Sequence, residues 1–186
     1  MGKVFAGLDD GLKAFIASQR VFFVATAPLS AQRHVNVSPK GLDTLRVLGP
    51  AEVAYVDLTG SGVETVAHLR ENGRITFMFC AFSGPPRVLR LYGRGRAVEP
   101  GDEDWGRLLG LFPAHPGARS VVRVELDRVA DSCGYGVPLF ELVGERTQLA
   151  AWAEHKGQEG LARYQQQKIR ESIDGLPGLR GTGNGG

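Results

Sequence analysis

The chain has 186 residues, 42% hydrophobic and 23% charged, enough for one globular domain with its own core. Its formal net charge of +2 is too small to argue by itself for a nucleic-acid or membrane partner. No apolar run approaches the roughly 20 residues that a membrane-spanning helix needs. The N-terminal stretch MGKVFAGLDDGLKAF has no continuous apolar segment of the secretory kind, and the two cysteines, Cys80 and Cys133, are too few for a disulfide scaffold. Both features point to the reducing cytoplasm.

Leu12, Phe15 and Ile16 fall at helical spacing and predict a short N-terminal helix. VFFVATA (21–27) is a continuous apolar run that reads as a buried strand. In HVNVSPK (34–40) alternation puts His34, Asn36, Ser38 and Lys40 on one face and Val35 and Val37 on the other. Pro39 cannot donate to a ladder, so this strand ends there or runs along an edge. Residues 44–58 predict two strands joined by a turn at Gly49-Pro50. A helix follows over about 62–72, with Val63, Val66 and Ala67 inward.

RITFMFCAF (74–82) and RVLRLYGRGRAV (87–98) read as strands separated by SGPP. Gly93 and Gly95 inside the second imply bending or a backbone packed closely against a neighbour. DEDWGRLLGLF (102–112) places Trp105, Leu108, Leu109 and Phe112 on one helical face, and 118–132 is a long strand. The tail is helical, with Leu149 and Trp152 in one stripe and Leu161, Tyr164, Ile169 and Ile173 in another, on either side of Gly157. The final RGTGNGG has little to bury. Strands follow one another through short turns, so the expected class is mainly β (α+β), an antiparallel sheet or barrel with helices on it. One domain over 1–176 and a disordered tail over 177–186 are expected.

TGSGVET (59–65) is a Gly-rich turn that opens a helix. It lacks the GK[ST] of a Walker loop, the third Gly of GxGxxG, and the Gly two residues before the Ser of a nucleophile elbow. It does contain Ser61-x-x-Glu64, a capping box. A helix start of this kind can be only a capped terminus, or can also hold an anion if cations arrive from elsewhere. Two sources present themselves. Arg90, Arg94 and Arg96 share a strand face with Tyr92, either as a solvated surface or as a phosphate clamp. Lys40 follows the polar face of His34, Asn36 and Ser38. Cys133 has no legible His/Asp partner, His34, His68, His115 and His155 are scattered, and no carboxylate pair stands out. No metal site and no catalytic side chain are legible, which fits a protein that holds and orients a cofactor.

Taken together, VNVSPKG, YVDLTGSGVETVAHLRENGRITFMFCAF, RVLRLYGRGRAV and DSCGYGVP resemble the pyridoxamine 5'-phosphate oxidase-like flavoproteins over about residues 10–176. The likeness is strongest to the subgroup with NxSPKG and SCGYGVP signatures. The resemblance implies an antiparallel split β-barrel with flanking helices and a homodimer with FMN at the subunit interface. It further implies an oxidoreductase acting on a small molecule. By that analogy Asn36, Ser38 and Lys40 contact the flavin ring or ribityl chain. Ser61, Gly62 and Thr65 lie near the phosphate, Arg90 or Arg94 reaches it, and Tyr135 lines the pocket. Related split barrels hold a 5-deazaflavin cofactor or haem instead, and a flavin-binding module or redox sensor without turnover is the alternative function. The sequence lacks the Arg-Lys pair that the oxidases carry after the turn, having Ser61-Gly62-Val63-Glu64 there, and lacks their Arg/His-rich C-terminal motif. Both departures argue against pyridoxamine phosphate as substrate.

Overall fold

The computed structural model describes residues 2–180. Its centre is one antiparallel sheet of eight strands. They are β1 (Val4–Phe5), β2 (Phe22–Thr26), β3 (Asn36–Lys40), β4 (Leu45–Gly49), β5 (Glu52–Leu58), β6 (Arg74–Cys80), β7 (Val88–Val98) and β8 (Ala118–Ser132). Seven run in the order β3-β2-β6-β7-β8-β5-β4, and β1 adds to β8. The helices are α1 (Asp10–Ser18), α2 (Glu64–Asn72), α3 (Trp105–Leu109) and α4 (Gln148–Lys168). The architecture is the antiparallel sheet with helices expected from the strand pattern, in the split-barrel form that the resemblance implies.

Leu12 and Ile16 of α1 are buried at i, i+4 spacing, and the Asp9 carboxylate caps the helix by accepting from the Leu12 N–H at 2.8 Å. The main core packs α1 and Leu69 of α2 against the sheet. There Phe22, Tyr55, Phe77 and Phe79 meet with ring centroids 5.8–6.1 Å apart. Truncating a ring such as Phe77 costs about 3–5 kcal/mol. A Cβ on Gly93 would lie 2.1 Å from the Glu125 carbonyl oxygen, so the close approach inferred for this glycine is real, and β7 and β8 shift register beside it.

Three elements differ from the sequence pattern. The capping box does not form: α2 starts at Glu64 with Val63 as an N-cap that makes no side-chain bond. The Gly62 carbonyl is engaged by Arg119 instead, and Glu64 Oε1 accepts from the Ile173 N–H. The third helix is only one turn long. The last helix bends at Gly157 (φ 62°) and ends at Lys168, so Ile173 is exposed in the chain beyond it and shares no stripe with Ile169.

That C-terminal chain folds back on the molecule. Ile169 is fully buried against Val63 and Val66, and Gly178 donates to the Arg170 carbonyl. The tail expected from 177 onward begins with an ordered stretch: Pro177 bridges to Glu171, and the Arg180 N–H binds Glu99 at 2.8 Å. Residues 181–186 lie outside the described residues. Among the described residues no helix is long and apolar enough to cross a membrane.

Candidate functional site

β3 is an edge strand, which accommodates Pro39. Its polarity is inverted relative to an ordinary surface strand. Val35, just before it, and Val37 are 68% and 60% exposed, while Asn36, Ser38 and Lys40 turn inward and are half-buried. Asn36 Nδ2 donates to Ser38 Oγ at 3.1 Å and to Thr65 Oγ1 of α2 at 3.2 Å. Lys40 Nζ donates to Asp57 Oδ1 at 2.8 Å and lies 5.7 Å from the Tyr55 ring centroid.

A residue from β8 completes the site. Asp57 pairs with Ser120 and Leu58 with Ala118, so Arg119 is the extra residue of a bulge. A bulge re-aims a side chain that regular alternation would direct elsewhere. Arg119 is 6% exposed. Its Nε donates to Asp57 Oδ2 at 2.7 Å and its Nη2 to the Gly62 carbonyl at 2.8 Å. Its Nη1 is buried without a partner among the described residues. The turn is pinned from outside as well. Thr59 donates twice to the Gly117 carbonyl, and Gln165 of α4 donates to Thr59 Oγ1 at 2.8 Å.

These groups surround a cleft of about 280 Å³, lined by Ser38, Lys40, Asp57, Ser61, Gly62 and Arg119, with Thr65 and Glu64 alongside. Burial alone would raise the Asp57 carboxyl. The charges of Arg119 and Lys40, with their hydrogen bonds, outweigh it and hold Asp57 below the usual carboxylate range. Burial, reinforced by the Asp57 charge, pushes the Tyr55 phenol well above its ordinary value. The Tyr55 hydroxyl is a second buried donor without a partner among the described residues. No described residue accepts from the main-chain N–H groups of Gly60, Ser61 or Gly62. Around the cleft, with the positive end of α2, therefore stand N–H groups without a partner among the described residues, two cations and one buried, unpartnered guanidinium nitrogen. That is the chemistry of an anion site. Glu64 opposes it: its carboxylate folds over Gly62, where a Cβ would come 2.2 Å from Oε2.

Six of the nine residues singled out in the sequence come together here: Asn36, Ser38, Lys40, Ser61, Gly62 and Thr65. The other three lie elsewhere in the chain. Arg90 donates to Ser132 Oγ at 3.1 Å. Arg94 donates to the Asn72 carbonyl at the opposite end of α2, about 13 Å away along a nine-residue helix. Tyr135 is 82% exposed and lines none of the cleft. Arg119 and Asp57 were not singled out. Their one sequence signal is a charge inside each of two β-forming runs, AEVAYVDL and ARSVVRVEL, which pairing places side by side. Among the described residues no group of three or more His, Cys, Asp or Glu side chains is placed to hold a metal ion.

Residues 8–133 match the family model described as pyridoxamine 5'-phosphate oxidase. The chain belongs to the pyridoxamine 5'-phosphate oxidase family. It is 42% identical over 192 residues to the pyridoxamine 5'-phosphate oxidase family protein ustO of Aspergillus flavus, covering 94% of this chain and 77% of that one. Two solved structures share the fold of this family member. One is a candidate pyridoxamine 5'-phosphate oxidase from Lactobacillus delbrueckii, 16% identical with a TM-score of 0.52, covering 68% of this chain and 98% of that one. The other is HupZ of Group A Streptococcus, 19% identical with a TM-score of 0.50, covering 66% and 91%.

Proposed function

We propose that this chain is an FMN-dependent oxidoreductase acting on a small molecule, in the subgroup marked by its NxSPKG and SCGYGVP stretches. The observation that carries the proposal is the convergence of Lys40, the half-satisfied Arg119 and the unbonded N–H groups of Gly60–Gly62 on one cleft. The residues fit a phosphate monoester, whose oxygens accept from backbone N–H, hydroxyl and guanidinium donors. Arg119 and Lys40 would take the place of the Arg-Lys pair that the turn lacks, with Ser61, Gly62 and Thr65 around the same group. Asn36 and Ser38, on the same face of β3, are left for polar groups of the ribityl chain or ring. A bound flavin supplies a ring that accepts hydride or electrons, and the protein binds and orients it. Exposed Val35 and Val37 beside the cleft support a homodimer with β3 at the shared face.

The visible absorption spectrum of the purified protein tests this, with mass analysis of what heat releases. A yellow protein releasing FMN is the expected result. Release of a 5-deazaflavin or haem would change the cofactor, and a protein that stays colourless after incubation with FMN would overturn the assignment.

One observation favours a binding module or redox sensor without turnover. Lys40, Asp57 and Arg119 are locked to one another, so none is poised to move a proton. Many turnovers per site with an electron donor and an organic acceptor would exclude that reading.

A further inference from the structure

We propose that a second pocket, behind the Gly41–Thr44 loop, receives an organic carboxylate with an apolar body, the substrate class of the oxidoreductase. Its role as substrate site rests on the flavin proposal; its preference for a carboxylate does not. The pocket holds about 420 Å³, room for a two-ring molecule. Ile16, Phe22 and Phe79 form a buried apolar floor, with half-buried Leu45 beside them. Such a floor favours hydrocarbon over water.

The rim is charged. Arg20, just after α1, and Arg146, just before α4, line it, and among the described residues neither has a carboxylate within ion-pair distance. Of the two rim carboxylates, Asp43 is bound through both oxygens by Arg46, at 2.7 and 3.0 Å, and Glu145 has no cation within ion-pair distance among the described residues. His115 also lines the pocket, and its Nε2 is buried without a partner among the described residues. Two free guanidinium groups and an imidazole above an apolar floor match an anionic head on an apolar body.

The loop between the two sites is built to hold its shape. Leu42 and Asp43 are consecutive non-glycine residues in the left-handed region, at φ 61° and 54°. Backbone in that conformation persists only where the surroundings enforce it. Here Arg46 grips Asp43, and Thr44 Oγ1 donates to the Gly41 carbonyl at 2.7 Å. Lys40, directly before the loop, belongs to the anion cleft, so the two sites share this wall.

The test titrates the full chain, with and without added FMN, with naphthalene-2-carboxylate and its uncharged carboxamide. The acid should bind about tenfold more tightly, the size of one charged hydrogen bond. Ala17→Trp, at an exposed rim position of α1, should weaken both probes. The double variant Arg20→Glu, Arg146→Glu should remove the acid's advantage and spare the amide. Equal affinities for acid and amide would overturn the proposal, as would no binding of either. Acid binding lost in Lys40→Ala but untouched by the arginine pair would do the same. A protein that takes up no FMN yet keeps the acid's advantage supports the pocket while failing the flavin proposal.

Discussion

The two ends of α2 use arginine in opposite ways. At its C-terminal end the β7 arginines are spent on the fold. Arg94 binds the Asn72 carbonyl at 2.7 Å, and Arg96 pairs with Asp104 at 2.6 Å, largely in solvent. At its N-terminal end one arginine, placed by a bulge and buried, reaches the turn with a nitrogen to spare. On the proposed reading, a row of arginines on a strand face is a weaker sign of an anion site than one arginine buried against a Gly-rich turn. Exposed pairs contribute little because water competes for the charge, whereas a buried guanidinium must be matched.

The largest expected effect that separates the two ends is on stability. Asp57→Asn leaves Lys40 and Arg119 without their shared counter-charge, which should cost about 3–5 kcal/mol. For a chain of this size that lowers the melting temperature by roughly 6–20 °C in calorimetry. Arg94→Ala and Arg96→Ala should each cost less than about 1 kcal/mol. Next in size is cofactor retention. Arg119→Met should weaken FMN binding about 100-fold and Lys40→Ala about tenfold, measured by flavin fluorescence quenching. The β7 variants should leave it unchanged. Equal losses from both groups would erase the contrast.

A pH effect comes from the middle of α2. His68 is buried with Nδ1 2.9 Å from Thr26 Oγ1. Burial holds its imidazole below the ordinary 6.5. The unfolded chain then takes up the proton first, so stability is full above about pH 6.5 and is lost as pH falls through the folded value. Up to ~1.4 kcal/mol per pH unit belongs to this one group. His68→Gln should flatten the part of the urea-unfolding pH profile just below 6.5. The smallest effect is a gain: Glu64→Gln removes a carboxylate that lines the proposed anion cleft without a cation partner among the described residues, and should tighten FMN a few-fold.

Much of the fold was legible because strand runs, alternation and turn residues are local. The edge position of Pro39, the Gly49-Pro50 turn and the crowding at Gly93 each follow from one residue's covalent limits. The β3 half of the candidate site was legible for the same reason, since alternation put Asn36, Ser38 and Lys40 on one face. Arg119 was not, because a bulge depends on register between strands about 60 residues apart. The capping box failed for a related reason: a distant arginine and the C-terminal chain claimed the groups that it would have used. Arg90 and Arg94 lie on the predicted face, but which end of α2 that face reaches is a matter of tertiary placement.

On the proposed reading the cleft of Lys40, Arg119 and the Gly60–Gly62 turn binds a phosphate. Parallel titrations of the wild-type protein with FMN and riboflavin, which differ only in that group, test it most directly. FMN should bind at least about 100-fold more tightly, as expected for charged hydrogen bonds from two cations, and most of that advantage should vanish in Arg119→Met. Equal affinities for FMN and riboflavin in the wild-type protein would contradict the claim.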